Sequence, residues 1–275
     1  MLLYPNAKIN IGLFVTGKRP DGYHDLETVF YPVPLRDVLE IKPVPKENVP
    51  YLFQTVGYDI AGRPEDNLVI RIYEDMKAEF DLPPLDIYLQ KRIPMGAGLG
   101  GGSSDAAFMM RALNEEFHLG LTDDELARRV AKYGADCAFF IHNRPAYATG
   151  IGDRLAPLKL SLKGWHIVLV KPYIFISTKE AYSGVTPQPA PCHLPEVVMQ
   201  DVSVWKELIS NDFEDSVFPK YPSIAAIKKT LYDMGAVYAS MSGSGSTVFG
   251  LFRHDCEEAA RVFHDCYVFR QKLLV

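Results

Sequence analysis

The sequence predicts an α+β protein of two domains. Three observations carry that reading: stretches of period-two and period-3.6 hydrophobicity occur in both halves, they do not alternate as regular βαβ units, and no internal repeat is detectable. With 275 residues, 48% hydrophobic and 23% charged, the chain can bury a substantial core and has the composition of an ordinary globular protein. The expected domains are residues 1–150 and 151–275.

Residues 7–15, AKINIGLFV, set Lys8, Asn10 and Gly12 against Ile9, Ile11 and Leu13, the alternation of a strand with one apolar face. RPDGYH supplies the next turn, with Pro20 presetting φ and Gly22 open to positive φ, before LETVFYPV resumes as strand. DNLVIRIYEDMKAEF reads as a helix capped by Asp66 or Asn67, with Val69, Tyr73, Met76 and Phe80 on one face. PLDIYLQKRIP alternates through Leu85, Ile87 and Leu89 and runs into the glycine-rich PMGAGLGGGSS. Beyond it, Ala106, Met110, Leu113 and Phe117 share a helical face, so a helix starts near Ser104. Thr122 and Glu125 form a capping box for the next helix, which runs through LARRVAKY to Gly134 as its C′ residue. From Gly152 onward the chain offers strands at HIVLVKP and YIFIS and a helix around IAAIKKTLYDM. VYASMSGSGSTVFGLF then reads as two strands joined by a glycine-serine turn. TPQPAPCHLP, residues 186–195, is expected to be a surface loop.

A net charge of −5 and a pI near 5.8 give no general field for nucleic acid or an anionic membrane, so any phosphate site must be local. MLLYPNAKIN lacks the apolar core of a signal peptide, and no run approaches the length of a membrane span, which predicts a cytoplasmic protein. Cys137, Cys192, Cys256 and Cys266 form no CxxC pair and fit free thiols. HDCEEAARVFHDC repeats an H-x-C unit through His254, Cys256, His264 and Cys266. If the stretch is helical, residues two apart point about 200° apart and neither pair can chelate, so no metal ligand is assigned.

A strand, a glycine loop and a helix N-terminus together make an anion site, because unpaired helix N–H groups and the positive end of the dipole favour phosphate. A flexible linker would not be bracketed so closely by a strand and a patterned helix. The loop ends GGSSD without the lysine of a Walker A motif. Gly96, Gly98 and Gly101 satisfy G-x-G-x-x-G. Against a dinucleotide site stand the motif's place deep in the chain, the lack of a second strand after it, and the lack of a ribose-holding acid. Neither HRD nor DFG occurs, which disfavours a protein kinase. Asp105 raises a question of its own, since a carboxylate beside a phosphate site repels it unless a cation intervenes.

PMGAGLGGGSS resembles the central motif of the GHMP kinases, and PNAKINIGLFVTGKRPDGYH and MSGSGSTVFGLF resemble that family's first and last motifs, in order along nearly the whole chain. The resemblance implies a two-domain fold, with a ribosomal protein S5 domain 2-like N-terminal domain, an α+β C-terminal domain and the active site in the cleft between them. It implies ATP, with Mg²⁺ carried on it, and a small-molecule partner rather than nucleic acid or a membrane. The PDGYH signature is similar to the branch that phosphorylates the 2-hydroxyl of cytidine diphosphate-linked methylerythritol in non-mevalonate isoprenoid synthesis. On this resemblance Asp136 in GAD takes the hydroxyl proton and Lys8 lies beside it, favouring the ionised carboxylate. Pro94, Met95, Gly96, Ala97, Gly98, Leu99, Gly100, Gly101, Gly102, Ser103 and Ser104 hold ATP, with Asn67 a neighbour of the adenine. Asn10 bonds the substrate, Tyr23 and Tyr182 flank the pyrimidine and His24 reads its edge. SGSGS, residues 242–246, packs on the phosphate loop. After GAD the family commonly has Val-Pro, whereas this chain has Cys137-Ala138, and loss of a first-turn proline is expected to loosen that helix start. Read from the residues alone, Asp136 is equally a helix cap and Lys8 a solvated strand lysine. Three alternatives remain: another GHMP kinase, marked by indifference to the cytidine nucleotide; a dinucleotide-dependent oxidoreductase, marked by NAD(P) binding; and a silent nucleotide-binding protein, marked by indifference to Asp136.

Overall fold

The computed structural model describes residues 1–45, 49–60 and 62–274. In chain order the elements of the first half are β1 (Leu2–Leu3), β2 (Asn6–Lys18), β3 (His24–Arg36), β4 (Val38–Pro43), β5 (Tyr51–Gly57), α1 (Leu68–Phe80), β6 (Leu85–Lys91), α2 (Gly101–Glu116), α3 (Asp123–Val130) and α4 (Cys137–His142). There follow β7 (Ala146–Thr149), β8 (Arg154–Pro157), β9 (His166–Pro172), α5 (Thr178–Ser183), α6 (Leu194–Val197), α7 (Trp205–Leu208), α8 (Phe213–Val217), α9 (Pro222–Asp233), β10 (Tyr238–Met241), β11 (Val248–Phe252), α10 (Ala259–Val262) and β12 (Cys266–Lys272). Two compact units each draw on three segments. The first takes Met1–Ala7, Leu35–Met95 and Gly100–Asn143, and the second Lys8–Pro34, Gly96–Leu99 and Arg144–Val275.

In the first unit the sheet order is β1-β4-β6-β5, antiparallel except for the parallel β5–β6 pair. Leu85, Ile87 and Leu89 alternate onto the buried face of β6, as their spacing predicts. Asn67 caps α1, its Oδ1 accepting from the N–H of Val69 at 2.9 Å. Val69, Tyr73 and Met76 are buried below, where each large apolar side chain contributes about 1.5–3 kcal/mol. The Thr122–Glu125 capping box forms at α3. The helix expected from Ser104 begins instead at Gly101. Gly100 takes the N-cap at φ 71°, a left-handed geometry that favours glycine, and Ser104 N–H returns to Gly100 O at 2.9 Å. Glycine is a poor helix former, which is why the pattern alone places the start later.

The second unit holds the sheet β10-β11-β9-β12 and most of the sheet β2-β3-β7-β8. Leu13, Val15, Val168, Val170, Phe213, Ile224, Leu231, Met241 and Val248 form its core. β2 is buried on both faces over most of its length, so the expected single apolar face is too simple: its polar residues turn inward as well. YIFIS is not a strand. Lys171 Nζ donates to the carbonyls of Pro172 and Ile174 at 2.9 and 3.2 Å, and Ser246 Oγ donates to Ile174 O at 2.6 Å. Side chains thus take the place of a strand partner, and Tyr173 and Phe175 stand 79% and 70% exposed. The helix expected across HDCEEAARVFHDC shrinks to α10; His254 and Cys256 precede it in irregular backbone and Cys266 opens β12. The 200° helical argument therefore applies to neither pair. Among the described residues no group of three or more His, Cys, Asp or Glu is gathered to hold a metal ion, and no helix is long and apolar enough to cross a membrane.

Candidate active site

The first unit carries the start of α2. No side chain caps its N-terminus, so the first-turn N–H groups of a 16-residue helix lack the side-chain acceptor that usually meets them. Gly102 has no atom within 4 Å of where a Cβ would stand, which leaves open space above the first turn. The Ser104 hydroxyl is buried there without a hydrogen-bond partner. Open space, uncapped donors and an orphaned hydroxyl fit a phosphate group.

The GAD turn lies against the same helix start. A Cβ on Gly134 would stand 3.2 Å from Cys137 Sγ and 3.5 Å from Ser103 Oγ. Ser103 hydrogen-bonds the Cys137 thiol, whose burial pushes its pKa to about 11. Asp136 occupies the N-cap position of α4, yet its side chain makes no capping hydrogen bond. The cap reading thus describes its backbone and not its carboxylate. α4 begins at Cys137 without a proline, Cys137 N–H bonding Gly134 O at 3.1 Å.

Asp105 finds its cation inside the protein. Lys91 Nζ donates to Asp105 Oδ2 at 2.6 Å and also to Asp37 Oδ2, all three residues being buried. Burial raises the Asp105 carboxyl to about 8, against the pull of Lys91. Lys91 and Asp37 are absent from the residues that the motifs single out. For Lys91 a signal exists: it continues the Leu85, Ile87, Leu89 alternation onto the apolar face.

In the second unit, Lys8 and Asn10 stand together. Lys8 Nζ donates to Asn10 Oδ1 at 2.6 Å and lies 4.9 Å above the Phe30 ring. At 4% and 2% exposure Lys8 and Asn10 are not solvated strand residues. Asn10 Nδ2 donates to Thr28 Oγ1 at 2.9 Å, which donates to Gly12 O at 2.5 Å. Each amide and hydroxyl direction is thereby set. Gly96–Leu99 is stitched beside them: Lys8 N–H bonds Leu99 O at 2.9 Å, Thr247 N–H bonds Ala97 O at 3.4 Å, and Ser242 Oγ donates to Gly98 O at 2.9 Å. A Cβ on Gly98 would stand 1.9 Å from Ser242 O, so SGSGS does pack on the loop. Asn211 Nδ2 holds that turn through Met241 O and Gly243 O at 2.7 and 2.9 Å.

Of the residues expected around a pyrimidine, His24 and Tyr182 meet directly, their rings stacked at 4.6 Å and 16°. A base between two rings needs about 7 Å, so none fits between this pair as it stands. The edge of Phe213 closes on Tyr182 at 4.8 Å, while Tyr23 is 62% exposed on its turn. Asn67 spends its Oδ1 on the α1 cap, and Pro94 and Met95 end the first unit's approach to the loop.

Residues 67–144 match the family model for the GHMP kinases N terminal domain, and residues 194–268 that for the GHMP kinases C terminal. The chain is 53% identical over 273 residues to a 4-diphosphocytidyl-2-C-methyl-D-erythritol kinase of Bacteroides fragilis, covering 99% of this chain and 100% of the relative. It is 40% identical to the kinase of that name from Chlorobium phaeobacteroides, over 94% of this chain and 92% of the relative. The crystal structure of a 4-(cytidine 5′-diphospho)-2C-methyl-D-erythritol kinase superposes with a TM-score of 0.83 at 31% identity, covering 100% of both chains. Homoserine kinase from Cytophaga hutchinsonii shares the fold, with a TM-score of 0.69 at 16% identity over 98% of this chain and 95% of that one.

Proposed function

Because the chain belongs to the GHMP kinase family, we propose that it transfers the γ-phosphoryl group of ATP to the 2-hydroxyl of 4-diphosphocytidyl-2-C-methyl-D-erythritol. The products are the 2-phosphate and ADP, in non-mevalonate isoprenoid precursor synthesis. The observation that carries the reading is the uncapped, glycine-lined start of α2, joined to full-length similarity with kinases of that name. The unpaired cysteines fit a reducing cytoplasm.

Phosphoryl transfer asks for positioning and charge stabilisation more than covalent help. Gly100–Ser103 presents N–H groups to the phosphates, with the Ser104 hydroxyl beside them, and Gly96–Leu99 supplies the approach. ATP is taken as its Mg²⁺ complex, which neutralises phosphate charge. Asp105 is committed to Lys91, so no protein ligand is assigned to the ion. Asp136 takes the 2-hydroxyl proton as the oxygen bonds the γ-phosphorus and the bond to the β–γ bridging oxygen breaks, ADP leaving with the electron pair. Lys8, oriented by Asn10, offsets charge on the reacting oxygens. Tyr23 and Tyr182 supply stacking faces to the cytosine and His24 a hydrogen bond to its edge, which requires Tyr182 to part from His24 on binding.

The test is ADP release with Mg-ATP, comparing the cytidyl substrate with homoserine, mevalonate and galactose. Turnover is expected with the cytidyl substrate alone, and Asp136→Asn should lower kcat by at least about a hundredfold, as loss of a general base predicts. Turnover of another acceptor in its place would overturn the substrate, and an undiminished Asp136→Asn enzyme would overturn the base.

A further inference from the structure

Lys91, Asp37 and Asp105 take no part in the chemistry above, yet they cluster at the two ends of the glycine loop. We propose that Lys91 is a positioning residue for ATP: its ammonium ties the strand entering the loop to the helix leaving it, and so fixes the directions of the phosphate-binding N–H groups. The inference rests on the reading of the loop as the ATP site.

On the entry side, Asp37 Oδ1 accepts from the N–H groups of Arg92 and Ile93 at 2.5 and 2.8 Å, just before Pro94. Asp37 is itself fixed, its own N–H bonding Pro5 O at 2.8 Å. The backbone of Lys91 is held as well, with its carbonyl accepting from Tyr58 N–H at 3.1 Å and pairing opposite Gly57 at the end of β6. On the exit side, Asp105 lies on the second turn of α2, 14 residues along, and meets the same ammonium at 2.6 Å. The helix start rests on that ammonium. A Cβ on Gly101 would stand 3.3 Å from Lys91 Nζ and 2.9 Å from Ile93 Cγ2, so only glycine lets α2 settle there without displacing them. Removing the ammonium leaves two buried carboxyl groups at the loop ends without the donor that joins them, so the strand and the helix lose their common anchor. A buried ion pair is a weak source of net stability compared with apolar packing, but it fixes geometry. A phosphate site depends on geometry, because small misplacements of the donors cost rate and affinity.

The experiment compares wild type with Lys91→Met, Lys91→Arg, Asp105→Asn and Gly102→Val in the full chain. It measures steady-state kinetics with each substrate varied, Mg-ATP binding by calorimetry, and the folded fraction from thermal melts. Lys91→Met is expected to raise KM and Kd for Mg-ATP by about tenfold or more while KM for the cytidyl substrate stays within about twofold, the split that marks a change at one substrate only. Asp105→Asn should shift the Mg-ATP constants in the same direction by a smaller factor, and Lys91→Arg should recover part of the loss. If Lys91→Met does not fold, the Asp105→Asn and Lys91→Arg comparison decides alone. Mg-ATP constants unchanged in every folded variant, with activity tracking only the folded fraction, would reduce the cluster to fold support and overturn the proposal. Gly102→Val places its side chain in open space and separates the two readings. If it leaves Mg-ATP binding intact, the loop is not the ATP site and both readings fall. If it weakens binding and Lys91→Met does not, the positioning role alone falls.

Discussion

A methyl group added at Gly98 would meet the carbonyl oxygen of Ser242 at 1.9 Å, and the residue's φ of 73° strains any other side chain. Gly98→Ala is therefore expected to cost about 1–3 kcal/mol or more from strain alone, and to weaken Mg-ATP binding because Gly96–Leu99 must move off the 242–246 turn. Thermal melts and Mg-ATP titration check both; a Gly98→Ala protein that melts and binds as wild type would remove the close approach as a requirement. At this scale the motif glycines and the Asn67 cap were legible because each sits in a local pattern, whereas the burial of Lys8 and Asn10 was not, because period-two spacing puts them on a polar face. Lys91 was half legible, as a lysine on the apolar face of a strand. Asp37 was not, because its backbone partners come 55 and 56 residues later and leave no trace in its neighbours.

α2 is anchored by a titrating group, and its stability should show it. The Asp105 carboxyl stands at about 8 in the folded chain against an ordinary 3.8, with Lys91 and Asp37 facing it and Lys91 held above its usual value by both carboxylates despite its burial. The folded state keeps a proton that the unfolded chain releases, so stability from this group is complete below about pH 4 and declines as the pH rises toward about 8. The wild-type melting temperature should fall more steeply between about pH 5 and about pH 8 than that of Asp105→Asn, which has no such proton. Equal slopes in scanning calorimetry would mean that Asp105 does not titrate in this window. Most elements followed from periodicity and caps: α1, α3, β6 and the β10–β11 hairpin fall where their spacing puts them. The exceptions share a cause. The start of α2 and the YIFIS segment are decided by a left-handed glycine and by side chains of Lys171 and Ser246, and neither is written in hydrophobic period.

Across the whole molecule the four thiols give a reading of the fold's integrity. Cys137 and Cys256 are buried, burial raises Cys137, Cys256 and Cys266 to about 11, and Cys192 shifts upward for the same reason. At near-neutral pH Cys137, Cys256 and Cys266 should react with a disulfide reagent on the order of a hundredfold more slowly in the native protein than in the denatured chain, because the thiolate is the reacting form, and Cys192 should be slowed in the same direction. A cysteine that reacts natively at the denatured rate would be one that solvent reaches in the folded protein. The fold class was legible at this scale from the mixture of periods, and the family from three motifs. The partition into compact units was not, because a reading along the sequence cuts the chain once, whereas each unit draws on three segments. That interleaving sets a timetable for the ribosome. Lys8–Pro34 emerges early and its two strands are neighbours in one sheet, but β7 and most of the unit lie beyond residue 144, so the rest of their packing is made on the order of ten seconds later. Leu13 and Val15 of β2 find their core neighbours only then, because Val168, Phe213 and Met241 come from the last segment.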